Sequence, residues 1–287
     1  MSAKNTEVFC SGVFAFDVGP SKTRFHLHTK LVAWHSEPLS AMMSNGMKET
    51  QDRVAVLEHV NADTFARFAE YVYAGDYSAA APVKIETGVK EKVEEGDTDP
   101  RPSVSSPRAR VMRQRARSRA NVCDWMDDVA APEDEAIVKQ HQISSPFPID
   151  AVPGRNQLFT NSYEYKPTLL SHAQVAIFAQ EYLIPNLQDM AASKLSVALG
   201  RFDCTESRTT SIAELCRYVY DNTPDDTGSH LEPGSLRDVV LQYTSKNCDV
   251  LVASSCFREL LAEGGLFAPE LLQRIARSVW GPARRQH

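Results

Sequence analysis

The chain has 287 residues, 43% of them hydrophobic, enough for a real core in one large domain or two small ones. Its formal net charge of -6 and isoelectric point near 5.8 argue against a dedicated nucleic-acid binder, which carries a net basic domain or face. The N-terminus has no basic-then-apolar leader, and no apolar run approaches the roughly 18 to 20 residues of a membrane helix, so the expectation is an intracellular protein of the cytosol or nucleus.

In chain order, Val13 to Val18 is a β-branched and aromatic run stopped by Gly19 and Pro20, and Thr23 to Leu27 follows with Phe25 and Leu27 alternating. Together they predict a β-hairpin. His28 to His35 reads as a helix with Leu31, Val32 and Trp34 apolar, and Pro38 to Met43 begins a second, short one. After Asn45-Gly46, Arg53 to Leu57 is a third strand. Asn61 is then placed to cap a helix whose Phe65, Phe68, Ala69 and Val72 have the spacing of a buried face, with Gly75 at its C-terminal end.

Residues 78–166 change character. A mixed-charge stretch gives way to an Arg-rich run and then to polar, Pro-containing sequence, none of it with sustained periodicity. A segment of that length cannot be a loop inside a compact domain, and its composition predicts a disordered insertion.

From Pro167 to Trp280 the helical signature returns. Five apolar stripes succeed one another: Val175, Phe178, Ala179 and Tyr182; Leu195, Ala198, Leu199 and Phe202; Ile212, Leu215, Cys216 and Val219; Leu236, Val239, Val240 and Tyr243; Leu272, Ile275, Ala276 and Val279. Pro185 stands where a helix would start. Five or six amphipathic helices must bury these stripes against one another or against the first zone.

This order of elements resembles the BTB/POZ domain, and most closely the BTB proteins of filamentous fungi. The resemblance is carried by Phe14 to Gly19 (FAFDVG), Phe25 to Leu31 (FHLHTKL), Ser36 to Leu39, Gly46 to Glu49, Val54 to Val60 and, most specifically, Thr64 to Tyr77 (TFARFAEYVYAGDY). It resumes from Leu170 to Leu187, similar to the fourth and fifth helices of the BTB core. Leu215 to Thr223 and Phe257 to Phe267 are similar to the C-terminal helical extension of the fungal proteins. The implied fold is α+β: a small β-sheet flanked by helices, a long disordered insertion and an all-helical C-terminal extension. The implied boundaries are a first part of the BTB core at 8–77, the insertion at 78–166, core-completing helices at 167–200 and the extension at 201–281.

The resemblance implies a protein–protein interaction scaffold and not an enzyme. Some BTB proteins are substrate adaptors of cullin-RING ubiquitin ligases, touching the cullin through a hydrophobic-x-Glu motif before the third strand. Met47-Lys48-Glu49 matches that pattern, and the contact surface so implied is Met43, Met47, Glu49 and Tyr77. Self-association is the other implied mode. Zinc-finger-type BTB dimers exchange an N-terminal helix and strand, however, and only about a dozen residues precede the first strand here, which leaves that form of dimer in doubt.

The remaining motifs are weighed on their chemistry. Ser21-Lys22-Thr23 echoes the end of a phosphate-binding loop, but Phe16 and Ser21 stand where that motif requires glycine, so a hairpin turn is the better reading. The six cysteines Cys10, Cys123, Cys204, Cys216, Cys248 and Cys256 include no CxxC pair and read as free thiols. His26 with His28, and Cys248 with Cys256, lack further ligands at usable spacing; His28 matches the family's core-packing histidine. No metal, cofactor or small-molecule substrate is expected, and there is no nucleophile motif.

Two features of the insertion keep an alternative open. Arg108, Arg110, Arg113, Arg115, Arg117 and Arg119 could act as a nuclear-import run or weak phosphate binder, or be a solvated linker balanced by the acids before it. Ser106 and Ser145 each precede proline and are candidate phosphorylation sites; Trp125 and Met126 could dock in a partner's groove. The alternative is a nuclear or chromatin-associated regulator using this Arg-rich insertion.

Overall fold

A computed structural model describes residues 7–8, 10–44, 52–85, 163–225 and 232–280. All of them belong to one unit, built from residues 1–86 and 145–287.

The hairpin predicted at the start forms as β1 (Val13–Val18) and β2 (Thr23–His28), antiparallel with Val13 opposite His28 and Val18 opposite Thr23. Gly19 makes the turn at φ 74°, a left-handed conformation that costs glycine nothing. Two helices follow, α1 (Thr29–His35) and α2 (Glu37–Ser44), and return the chain so that β3 (Val54–Leu57) lies parallel to β1 on its other side. The sheet order is therefore β2-β1-β3. Phe14, Phe16, Val18, Leu27, Ala55 and Leu57 point from it into the core. On the opposite face Arg24 pairs across the strands with both carboxylate oxygens of Asp17, at 2.7 and 2.8 Å.

Helix α3 (Ala62–Ala74) begins and ends where the sequence places it. The Asn61 side chain accepts from the backbone N–H groups of Asp63 and Thr64 at 2.8 and 3.2 Å, while Gly75, at φ 74°, donates its N–H to the Tyr71 carbonyl. Replacing Asn61 with Ala is expected to cost about 1 kcal/mol in urea denaturation, and Asn61→Gly only a few tenths. An Ala variant as stable as the parent would remove the capping account.

The expected zone of irregular chain narrows at both ends. Ser78 to Ile85 and Tyr163 to Lys166 are structured: β4 (Val83–Lys84) pairs antiparallel with β5 (Tyr163–Glu164), bringing Lys84 opposite Tyr163. Short polar strands of this kind are closed by their partner rather than by their own pattern. The rest of the segment lies outside the described residues.

Beyond β5 come α4 (Lys166–Glu181), α5 (Pro185–Gly200), a 3-10 turn (Glu206–Arg208), α6 (Thr209–Asn222), α7 (Leu236–Lys246), α8 (Cys248–Ala253), α9 (Ser255–Ala262) and α10 (Phe267–Trp280). Pro185 does open its helix, at the first turn, where a missing N–H is tolerated. The stripes on α4, α6 and α7 are buried in full. That on the last helix is not: Leu272 is 67% exposed, and the chain buries Phe267 and Leu271 instead, with Ile275 against the core. The i, i+4, i+8 series starts one position earlier than the sequence pattern suggests, because Leu271 and Leu272 are adjacent and either can begin it. Seven α-helices follow Tyr165 among the described residues, where five or six were expected.

The two halves share one core. Phe65 of α3 packs at a tilt on Phe16 and Phe25 of the sheet at 5.2 and 5.1 Å, and edge-to-face on Phe68 at 5.5 Å and on Phe178 of α4 at 6.1 Å. Phe178 continues the chain of rings to Tyr182 at 4.6 Å. Helices that follow residue 162 thus complete a core begun by residues 13–74.

Candidate functional site

Helix α2 precedes the hydrophobic-x-Glu segment in the chain, and its two ends are held differently. Ser36 accepts the Leu39 N–H at 3.2 Å and donates its own hydroxyl to the Tyr182 carbonyl at 2.7 Å, fixing the start of α2 to the end of α4. Leu39 is fully buried. At the other end Met42 and Met43 are half-buried and packed on the core, with Ser44 exposed beyond them. A methionine in that position presents a soft apolar surface that adapts to a partner. Met47 and Glu49 themselves lie outside the described residues.

Tyr77 is placed differently from the surface role the resemblance implied. Its side chain is only 3% exposed. The left-handed turn at Gly75 folds the chain back so that the ring enters the core, and its hydroxyl shares a 2.8 Å hydrogen bond with Nδ1 of His172 on α4. Lys194 of α5 lies over the ring at 4.1 Å, donates to the Tyr77 carbonyl at 2.6 Å and pairs with Asp76. Burial drives the His172 imidazole down to about 3, so it is neutral at physiological pH, and pushes the Tyr77 phenol far above its usual range. The side chain of Tyr77 is therefore part of the core and not of the surface. A Tyr following a helix-ending Gly is the signal that could have shown this, since such a residue has an apolar body and a polar tip that needs a buried partner.

His28, which the resemblance implied would pack in the core, is instead half-buried near the surface, with Nδ1 2.8 Å from the exposed Tyr73 hydroxyl. Ser21 to Thr23 form the β1–β2 turn, Lys22 having φ 51°, and no helix N-terminus stands there to receive a phosphate. Cys10, Cys204, Cys216, Cys248 and Cys256 are free thiols. Among the described residues no group of His, Cys, Asp and Glu could hold a metal ion. A shallow cleft of about 270 Å³ between α3 and α4 is smaller than an ordinary ligand pocket, and its cations are engaged: Arg67 donates to the Asp63 and Ser78 carbonyls, and Lys166 pairs with Glu214. The Arg108 to Arg119 run, Ser106, Ser145, Trp125 and Met126 lie outside the described residues.

Several large apolar groups reach the surface. Of Leu31, Val32 and Trp34 on α1, Trp34 is 54% exposed and Val32 alone is buried. Val13, Val56 and Tyr73 are also exposed.

Residues 3–87 match the family model of the BTB/POZ domain. The N-terminal part of this chain is a BTB/POZ domain. The match takes in β1 to β3, α1 to α3 and β4, and the α+β class with added C-terminal helices is the one the sequence implied. No curated protein matches the chain. BTB domains are interaction modules that bind protein partners and self-associate, so the chain is a protein–protein interaction scaffold at this coarse level. Among the described residues no helix is long and apolar enough to cross a membrane.

Proposed function

We propose that the BTB surface at the end of α2, around Met43, Met47 and Glu49, engages one protein while the C-terminal helices engage another, and that the first partner is the cullin scaffold of a RING ubiquitin ligase. The chain would then be a substrate adaptor. The observation that carries this reading is the hydrophobic-x-Glu segment Met47-Lys48-Glu49 immediately after a helix that ends in half-buried Met42 and Met43. A methionine supplies an adaptable apolar anchor and a glutamate a charge that suits a basic partner, the combination that sets both affinity and choice of partner. In this proposal 8–77 and 167–200 form the BTB core, 78–166 the insertion and 201–281 the extension that carries the substrate.

Calorimetry of the purified full chain with a cullin N-terminal domain tests it. The parent is expected to bind, and Met47→Ala/Glu49→Ala to weaken binding at least tenfold, about 1.4 kcal/mol, with no loss of fold. Absence of binding by the parent would end the adaptor reading.

A further inference from the structure

Residues 76–82 form a strap between α3 and β4 that is attached to three helices. Ser78 takes its N–H and hydroxyl to Glu70 and its carbonyl to Arg67, both on α3. Ala80 donates its N–H to the Ser171 hydroxyl at 3.1 Å and accepts from Thr168 at 2.8 Å, both on α4. Asp76 and the Tyr77 carbonyl are held by Lys194 of α5. At the centre lies the buried Tyr77–His172 hydrogen bond, and the strap leads through β4 into residue 86 and the long segment that returns at Tyr163.

We infer that Tyr77 and His172 are an acid-released clasp, which keeps the strap seated on α4 and α5 while His172 is neutral and lets it go when His172 is protonated. The charges around the imidazole decide this. Facing it are Lys194 from α5, Arg67 from α3, and Asp76 and Tyr77 from the strap itself. The sole carboxylate among them, Asp76, is already paired with Lys194. Helix α6, which also packs on α4, directs Glu214 to Lys166, nearly two turns along α4 from His172. An imidazolium at this position would be 5% exposed beside two cations with no free anion to meet it. Opening the strap brings water to the ring and removes that conflict.

The sign follows from linkage. In the seated state the imidazole is held down to about 3, whereas in the opened state it titrates near its ordinary 6.5. Seating is therefore at full strength above pH 6.5, weakens by about tenfold per pH unit below it, and stops changing near pH 3. The consequence is a change at the root of the inserted segment with no change in the sheet or in the C-terminal helices.

The test is hydrogen exchange of the full chain at pH 7.5 and 5.5, corrected for the intrinsic rate and read at the Ala80 amide, whose acceptor is the non-titrating Ser171 hydroxyl. The protection factor is expected to fall about tenfold in the parent. In His172→Asn, whose amide can still reach the Tyr77 hydroxyl but cannot titrate, it is expected to stay level. Protection that is level in the parent, or that falls equally in the variant, overturns the inference. Should the variant not fold, the ring nitrogens of His172 in the parent decide by NMR. A ring still neutral at pH 5.5 in the folded chain supports the clasp, and one that titrates near 6.5 overturns it.

Discussion

Truncating Phe65 to Ala is expected to destabilise the full chain by about 3–5 kcal/mol in denaturant unfolding. The ring is fully buried and touches Phe16, Phe25, Phe68 and Phe178, so its loss leaves a void lined by four other rings that cannot all collapse inward. The same site tests whether the chain on both sides of the insertion is one folding unit. Phe178→Ala alone is expected to cost about as much, and the pair less than the sum, with a coupling of about 0.5 kcal/mol or more. Strict additivity, or a Phe65→Ala cost under about 1 kcal/mol, would mean that α4 does not complete the core of the N-terminal domain.

Replacing Arg237 is expected to be nearly as damaging, although it lies far along the chain from that core. Arg237 is 6% exposed, and its guanidinium donates to the Thr223 hydroxyl and carbonyl at 2.6 and 2.8 Å, approaches Glu270 at 3.7 Å, and lies 4.6 Å from the centre of the Tyr220 ring. Tyr220 in turn donates to Glu270 at 2.6 Å. One side chain of α7 thus ties the end of α6 to the first turn of α10. Arg237→Met keeps the apolar stem but leaves the Glu270 carboxylate without its cation, and is expected to lose about 3 kcal/mol. Arg237→Lys should recover only part of this, because a single ammonium cannot serve Thr223 and Glu270 with the geometry of a fork. Denaturant unfolding of the three proteins checks it; a Met variant as stable as the parent would show that the network adds nothing net.

Helix α3 shows what local sequence can carry. Asn61, the Phe65/Phe68/Val72 stripe and Gly75 each state one part of the same helix within fifteen or so positions, and the structure uses all three as read. The hairpin is legible for the same reason, since Gly19 and Pro20 end one alternating run just before another begins. Phase is harder to read where apolar residues adjoin: Leu271 and Leu272 both fit a stripe, and only the position of α7 selects the first.

The buried polar pairs were not legible at all. Tyr77 and His172 stand ninety-five positions apart, and nothing in either neighbourhood names the other. The resemblance therefore placed Tyr77 on the contact surface, whereas its ring is buried in the core. Arg237 reads locally as one more charge on a helix face, and only the fold shows that this face is covered. Trp34 reads only as apolar in the sequence, and the helix turns it outward while Val32 beside it is buried. Of the residues proposed to meet a partner, Met43 is described at the end of α2, while Met47 and Glu49 lie outside the described residues.

The central claim is that this chain acts by binding other proteins through its BTB domain. Affinity purification of the tagged full chain from its native cells, with quantitative mass spectrometry beside Met47→Ala/Glu49→Ala, tests it most directly. The account expects at least one protein in near-stoichiometric amount, with a cullin present for the parent and depleted at least tenfold for the variant. Recovery of the parent chain without any stoichiometric protein partner, and without a second copy of itself, would contradict it.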